Sequence, residues 1–338
     1  MDSASPASLG FKDRKGGLIF FGLATAFLGL LSGLLVPLMI FAARFAPPQP
    51  NTPTPPNLAS IAALYGVLAV VLIWLGIGSM MARRWARALL AVWSWSWFAM
   101  GLIAIVVLAL MAPQLAQSIR AAQPAGQPQL SGSAQTMLML IPAFMMSVLF
   151  VILPLIWGLF YGSRNVKATC EARDPVARWT DRCPLPVLAV SLWLGFGALC
   201  MLMMPAFHSV APFFGMLLSG AAGTLYYLGL AAIWAYSAWA IYRLEWRGWW
   251  VIFVAMVLFG VSNVTTYSRH DIREVYALMG YAPAQAEQMR ALGSFGQSTM
   301  TWSTCIFALP FLVYLFYVRK FFSRAAAEQS MSSAQPDY

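Results

Sequence analysis

From residue 183 to residue 242 the chain runs for 60 residues without an Asp, Glu, Lys or Arg. One helix of that length would extend ~90 Å at ~1.5 Å rise per residue, about three times the hydrocarbon thickness of a bilayer. Two helices of membrane-crossing length fit the stretch, and Pro205, His208 and Pro212 supply a turn signal near its middle. A soluble fold has no ready place for such a run, because soluble domains carry ~25% charged residues. Here the share is 9%, against 60% hydrophobic residues and a mean hydropathy of +0.71 over 338 residues. Lipid suits that surface. It admits helices because each backbone N–H and C=O is then satisfied within its own segment.

Charged residues divide the rest of the chain into further windows of about 20 apolar residues, the length one span requires. The sequence therefore predicts an all-α, polytopic transmembrane helical bundle of about eight spans, at 17–43, 58–82, 88–112, 135–161, 185–207, 213–242, 249–267 and 299–318. A tail (1–16), a loop (162–184) and a second tail (323–338) complete it. The first window stays uncharged for 28 residues, 16–43, after Lys12, Arg14 and Lys15. A cleaved signal has an apolar core of only about 7–15 residues, so this window reads as a retained span.

The Lys and Arg residues fall unevenly about these spans. Sixteen lie on one face, in clusters such as Arg83, Arg84 and Arg87, and five lie on the other. Basic residues are held in the cytoplasm, which predicts a multi-pass protein of the cell membrane, with the bacterial inner membrane expected, and with both termini inside. Trp85, Trp179, Trp246, Trp249 and Trp250 adjoin the basic clusters and are expected at the headgroup level. The partners implied are the lipid bilayer, with anionic headgroups at these clusters, and a protein partner of unknown kind. The net charge of +10 does not point to nucleic acid, because it is split into short clusters with no basic face.

Two local patterns recur. Leu153-Pro154, Leu159-Phe160-Tyr161 and Arg164 resemble Leu309-Pro310, Leu315-Phe316-Tyr317 and Arg319. Trp74, Arg83 and Arg87 reappear with the same spacing as Trp234, Arg243 and Arg247. These matches predict two tandem four-helix repeats in the same orientation, 17–161 and 185–322, related by an axis near the membrane normal.

Every charged residue falls in a predicted tail or loop. That argues against proton antiport through a buried carboxylate and against a charged voltage-sensing helix. Asn263 is the one Asn or Gln well inside a span, where its amide needs a partner. Gly29 and Gly33, and Gly215, Ser219 and Gly223, stand at the four-residue spacing that lets helices approach closely. The two histidines, His208 and His270, and Asp271 fall on one predicted side, which permits a shared polar site there. Within the last external loop, residues 271–279 read as a helix ended by Gly280, followed by a second helix from Pro283 to before Gly293. In the cytoplasmic loop, Asp174-Pro175 reads as the start of a short helix with Trp179 toward lipid. Cys170, Cys183, Cys200 and Cys305 lack disulfide or zinc spacing and are expected as reduced thiols.

No catalytic, cofactor or metal signature emerges, and no enzyme is expected. The favoured function is a transporter or channel-like protein for a neutral or amphiphilic solute, with a cavity at the interface of the halves near Asn263. The alternatives are a non-enzymatic scaffold, sensor or assembly factor and, third, a lipid-modifying membrane enzyme.

Overall fold

The computed structural model describes residues 11–45, 58–121, 132–281 and 297–333. Its helices are α1 (Lys15–Phe45), α2 (Leu58–Met80), α3 (Arg84–Ala121), α4 (Gly132–Ser147), α5 (Leu153–Gly162), α6 (Arg164–Arg173), α7 (Leu185–Phe207), α8 (Gly220–Tyr242), α9 (Trp246–Tyr267), α10 (Ile272–Leu278) and α11 (Gln297–Ser333). A two-stranded antiparallel hairpin, β1 (Ala211–Phe213) and β2 (Met216–Leu218), stands between α7 and α8. Among the described residues eight helical stretches are long and apolar enough to cross a membrane. The protein itself buries only 6% of the window Leu140–Gly162 and at most 44% of any other, in Gly220–Tyr242. Apolar helices left so open toward their surroundings are stable in lipid, not in water. The chain is a membrane protein built as an all-α helical bundle.

The first of two compact units holds residues 11–45, 58–102 and 142–185. Here α1 and α2 pack backbone to backbone. A Cβ added at Gly22 would lie 2.8 Å from the Gly76 carbonyl, and one at Gly76 would lie 2.6 Å from that of Gly22. Gly29 approaches Ile73 and Ala69 in the same way. Small residues are what allow this contact in lipid, where helix association relies on close packing. A π-helical turn, Val148–Ile152, joins α4 to α5 just before Pro154. Pro154 has no N–H to donate to the Phe150 carbonyl one turn back. That carbonyl faces Gly101 of α3, whose missing Cβ leaves room for it.

The core of this unit carries a hydrogen-bonded chain of side chains. Fully buried Tyr161 shares a 2.7 Å hydrogen bond with Ser79, whose hydroxyl also lies 3.0 Å from the Leu18 carbonyl. Trp157 donates to Thr25 at 3.3 Å, and Thr25 donates to the Phe21 carbonyl at 2.7 Å. Arg87 donates to the Tyr161 carbonyl at 3.4 Å.

No α-helix begins at Asp174: a single 3₁₀ turn, Trp179–Asp181, follows in that segment, and the helix of this loop is α6, which ends at Arg173. Ser163 caps its start, and Asp174 is its C-terminal cap. The reason is tertiary: the Asp174 carboxylate, 3% exposed, is held by Arg83 at 3.7 Å, Arg178 at 3.1 Å and the Arg84 N–H at 3.3 Å. Burial draws its pKa up, but the Arg178 hydrogen bond, the Arg84 N–H and the two guanidinium charges outweigh burial and leave it below the usual carboxylate value. Asp13 is likewise held low, first by its 2.8 Å pairing with Arg173. Burial pushes the Cys170 and Cys183 thiols up to about 11, so both remain protonated near neutral pH.

The second unit holds residues 103–121, 132–141, 186–281 and 297–333. Trp249, expected at the headgroup level, is 1% exposed. Its indole donates to the Leu315 carbonyl of α11 at 2.9 Å, and its ring stacks on Trp246 and Phe253. Burial with its N–H satisfied makes it part of the α9–α11 packing. The sixth span also differs from expectation, because residues 213–219 form hairpin and connector and the helix starts at Gly220. Gly215 and Ser219 are therefore not helix-packing positions. Gly223 lies in α8, but what its missing Cβ admits is the Ser209 carbonyl of the loop before β1 rather than another helix.

The turns after α2 and α8 share one geometry. Ala82 (φ 53°) and Leu244 (φ 59°) are left-handed. Arg83 N–H donates to Gly78 and Ala82 N–H to Ser79; Glu245 N–H donates to Ala240 and Leu244 N–H to Ile241. Both are Schellman endings. They coincide at a spacing of 162, whereas the arginine match runs at 160. Two residues are about half a helical turn, so Arg83 corresponds to Glu245 and the matched arginines do not stand on equivalent faces. Arg243 instead lies over the Trp239 ring, 4.8 Å from its centre, and Arg247 is the second residue of α9. Pro154 and Pro310 differ too: the first follows a π turn, while the second lies inside the continuous helix α11.

Candidate functional site

A cavity of about 270 Å³ opens in the second unit. Each wall follows from helical spacing. Met201 and Met204 of α7 lie on one face, and His208 continues that face one turn on, its N–H bonded to the Met204 carbonyl at 2.9 Å. Phe259, Asn263 and Tyr267 form a stripe at four-residue spacing on α9. Tyr227 of α8, Pro212 of β1 and Val275, Tyr276 and Met279 at α10 add to its lining.

The adjacent stripe of α9 fixes the hairpin. Ser262 accepts from the Phe214 N–H at 2.9 Å and donates to the Pro212 carbonyl at 3.1 Å, and Thr266 accepts from the Gly215 N–H at 2.9 Å. The two central residues of the turn have positive φ, 43° at Phe214 and 88° at Gly215. Such a type I′ turn suits Asn-Gly, and a phenylalanine there is strained by about 1–3 kcal/mol. The hydroxyls of Ser262 and Thr266 hold the strained turn in place. Tyr227 donates to the Val210 carbonyl at 2.8 Å and ties the hairpin's entry to α8.

The polar groups of the cavity are few and specific. Asn263, 8% exposed, donates its amide to the Phe259 carbonyl at 2.8 Å, which leaves its carbonyl and second N–H for another partner. His208 packs edge-on to Tyr227, and its Nδ1 is enclosed without a hydrogen-bond partner. Burial lowers the His208 pKa, against a smaller opposing pull from the Val210 backbone, so the ring is neutral near pH 7. Apolar walls with a few convergent polar atoms are the usual character of a small-molecule site.

The four polar residues singled out from sequence are distributed as follows. Asn263 and His208 line the same cavity. His270 turns to other partners: its Nδ1 lies 2.7 Å from Glu274 and its Nε2 lies 3.0 Å from the Gly215 carbonyl. Asp271 accepts from the Arg273 N–H and caps α10. The helix expected at 271–279 is α10, ended by Gly280 at φ 86°. The companion helix expected from Pro283 lies outside the described residues. Among the described residues no three His, Cys, Asp or Glu side chains gather as metal ligands.

Sequence reasoning missed the three methionines, the tyrosines and the Ser262–Thr266 clamp. The clamp had a signal, two hydroxyls four residues apart beside Asn263; the methionines had none that separates a cavity wall from ordinary core. All the residues lining this cavity belong to the second unit. The chain matches no protein-family model, no curated protein and no solved structure.

Proposed function

We propose that this chain is an eight-span protein of the bacterial inner membrane, with both termini cytoplasmic, that binds a small neutral or amphiphilic solute as a transporter or channel-like protein. The observation that carries the reading is the cavity holding Asn263 and His208, each with hydrogen-bonding capacity left over inside apolar walls. A solute with an apolar body and one hydroxyl or amide fits that chemistry. The shared Schellman turns at a spacing of 162 support two tandem four-helix units. Arg319 over the Trp246 ring and Lys320 over the Tyr317 ring support binding of anionic headgroups at the cytoplasmic face.

A second reading, a non-enzymatic sensor or assembly factor, is favoured by one observation: the hairpin and α10 form a ledge beside the cavity, a shape suited to a protein partner. Purification with identification of co-purifying small molecules and proteins tests both. A solute whose affinity drops about tenfold in Asn263→Ala, the size of one lost hydrogen bond, supports the first reading. A stoichiometric protein with no solute supports the second.

A further inference from the structure

His270 stands between two elements that wall the cavity, and both of its partners are acceptors. Nε2 meets the carbonyl of Gly215 in the hairpin turn at 3.0 Å, and Nδ1 meets the Glu274 carboxylate of α10 at 2.7 Å. A neutral imidazole carries one N–H and satisfies one of them, while an imidazolium satisfies both. We propose that protonated His270 is a latch joining the hairpin to α10, and that its deprotonation frees α10 and so loosens the wall formed by Val275, Tyr276 and Met279.

Two charged groups act on the His270 ring. Glu274 faces it from α10; from the end of α9, Arg269 lies against Gly215 and opposes the charge; the hairpin offers the Gly215 carbonyl. The Glu274 hydrogen bond and then the Gly215 hydrogen bond raise the His270 pKa above its ordinary 6.5, and Arg269 and burial pull it back in part. The sign follows: the latch is fully present below about pH 6.5 and is lost as pH rises through the raised value. The β-hairpin stays docked by Ser262 and Thr266 in either state, so the moving part is α10, a helix of 7 residues. The latch belongs to the fold around the cavity and operates whatever the cavity binds.

The chain has 2 histidines, so ¹³C-labelled histidine gives two resolvable titrations for the intact protein in nanodiscs. The signal lost in His270→Gln is expected to titrate above 6.5 and the His208 signal below it. In the same samples, amide-exchange protection of Ile272–Leu278, corrected for intrinsic rate, is expected to fall about tenfold across that titration, as for loss of one hydrogen bond to a charged group. His270→Gln is expected to remove the pH dependence. A His270 titration at or below 6.5, protection indifferent to pH, or the same pH dependence in His270→Gln overturns the latch.

Discussion

The Tyr161–Asp174 region of the first unit and the cavity region of the second use polar residues in opposite ways. Around Tyr161 the hydroxyls of Ser79 and Thr25 and the indole of Trp157 bond one another or nearby carbonyls, and Asp174 draws in two arginines and a backbone N–H. Around Asn263 the hydroxyls of Ser262 and Thr266 are committed to a strained hairpin, while Asn263 and His208 keep unused capacity in a cavity. The mutually bonded side chains around Tyr161 specify one packing, although beside Asp174 the buried Arg178 Nε and Thr180 hydroxyl lack hydrogen-bond partners. Polar capacity left open in an apolar hollow is the signature of a place for something else. The first region therefore reads as frame and the second as site.

The contrast predicts where substitutions hurt. The largest effect is expected in the frame, from Gly76→Leu. Its side chain would meet the α1 backbone at Gly22, and overpacking of this kind costs about 3 kcal/mol, read as a drop in thermal stability in detergent. Asp174→Asn follows, at about 2 kcal/mol. Breaking a buried ion pair costs more, but both arginine side chains are over a third exposed and water offsets part of the loss. Because the Asp174 pKa is depressed, the wild-type protein should lose this contribution as pH falls below about 3.8, and the variant should show a shallower acid limb in a pH series of melting temperatures.

In the second region the effects should be smaller or reversed. Phe214→Asn is expected to stabilise by about 1 kcal/mol, since asparagine tolerates the left-handed turn at φ 43°. A loss in that variant would mean that the phenylalanine ring contributes more to packing than its backbone strain costs. Asn263→Ala should change stability by less than about 0.5 kcal/mol, because its amide bonds only a carbonyl of its own helix. A large loss there would make Asn263 part of the frame and erase the contrast.

How much of this the sequence discloses depends on the range of the interactions. α7 spans Leu185–Phe207, the bounds read from the uncharged run and its turn signal, because lipid length and charge placement are local signals. The hairpin at 211–218 is invisible by the same signals, since a short apolar run reads equally as helix or strand. Asp174-Pro175 looks like a helix start until Arg83 and Arg84, about 90 residues earlier, claim the carboxylate. Nothing near Trp249 in the sequence reveals that Leu315, 66 residues on, accepts its indole N–H. At the site, Asn263 stands out as a lone amide in a span, whereas its meeting with His208 depends on how α7, α8 and α9 pack.

The measurement that bears most directly on the account is native mass spectrometry of the chain released from nanodiscs, wild type beside Met204→Trp, a substitution that fills the cavity from α7. A bound small molecule on the wild type that is absent from a folded Met204→Trp protein is the predicted result. A wild type that carries nothing from its native membrane, or equal occupancy in the two proteins, would contradict it.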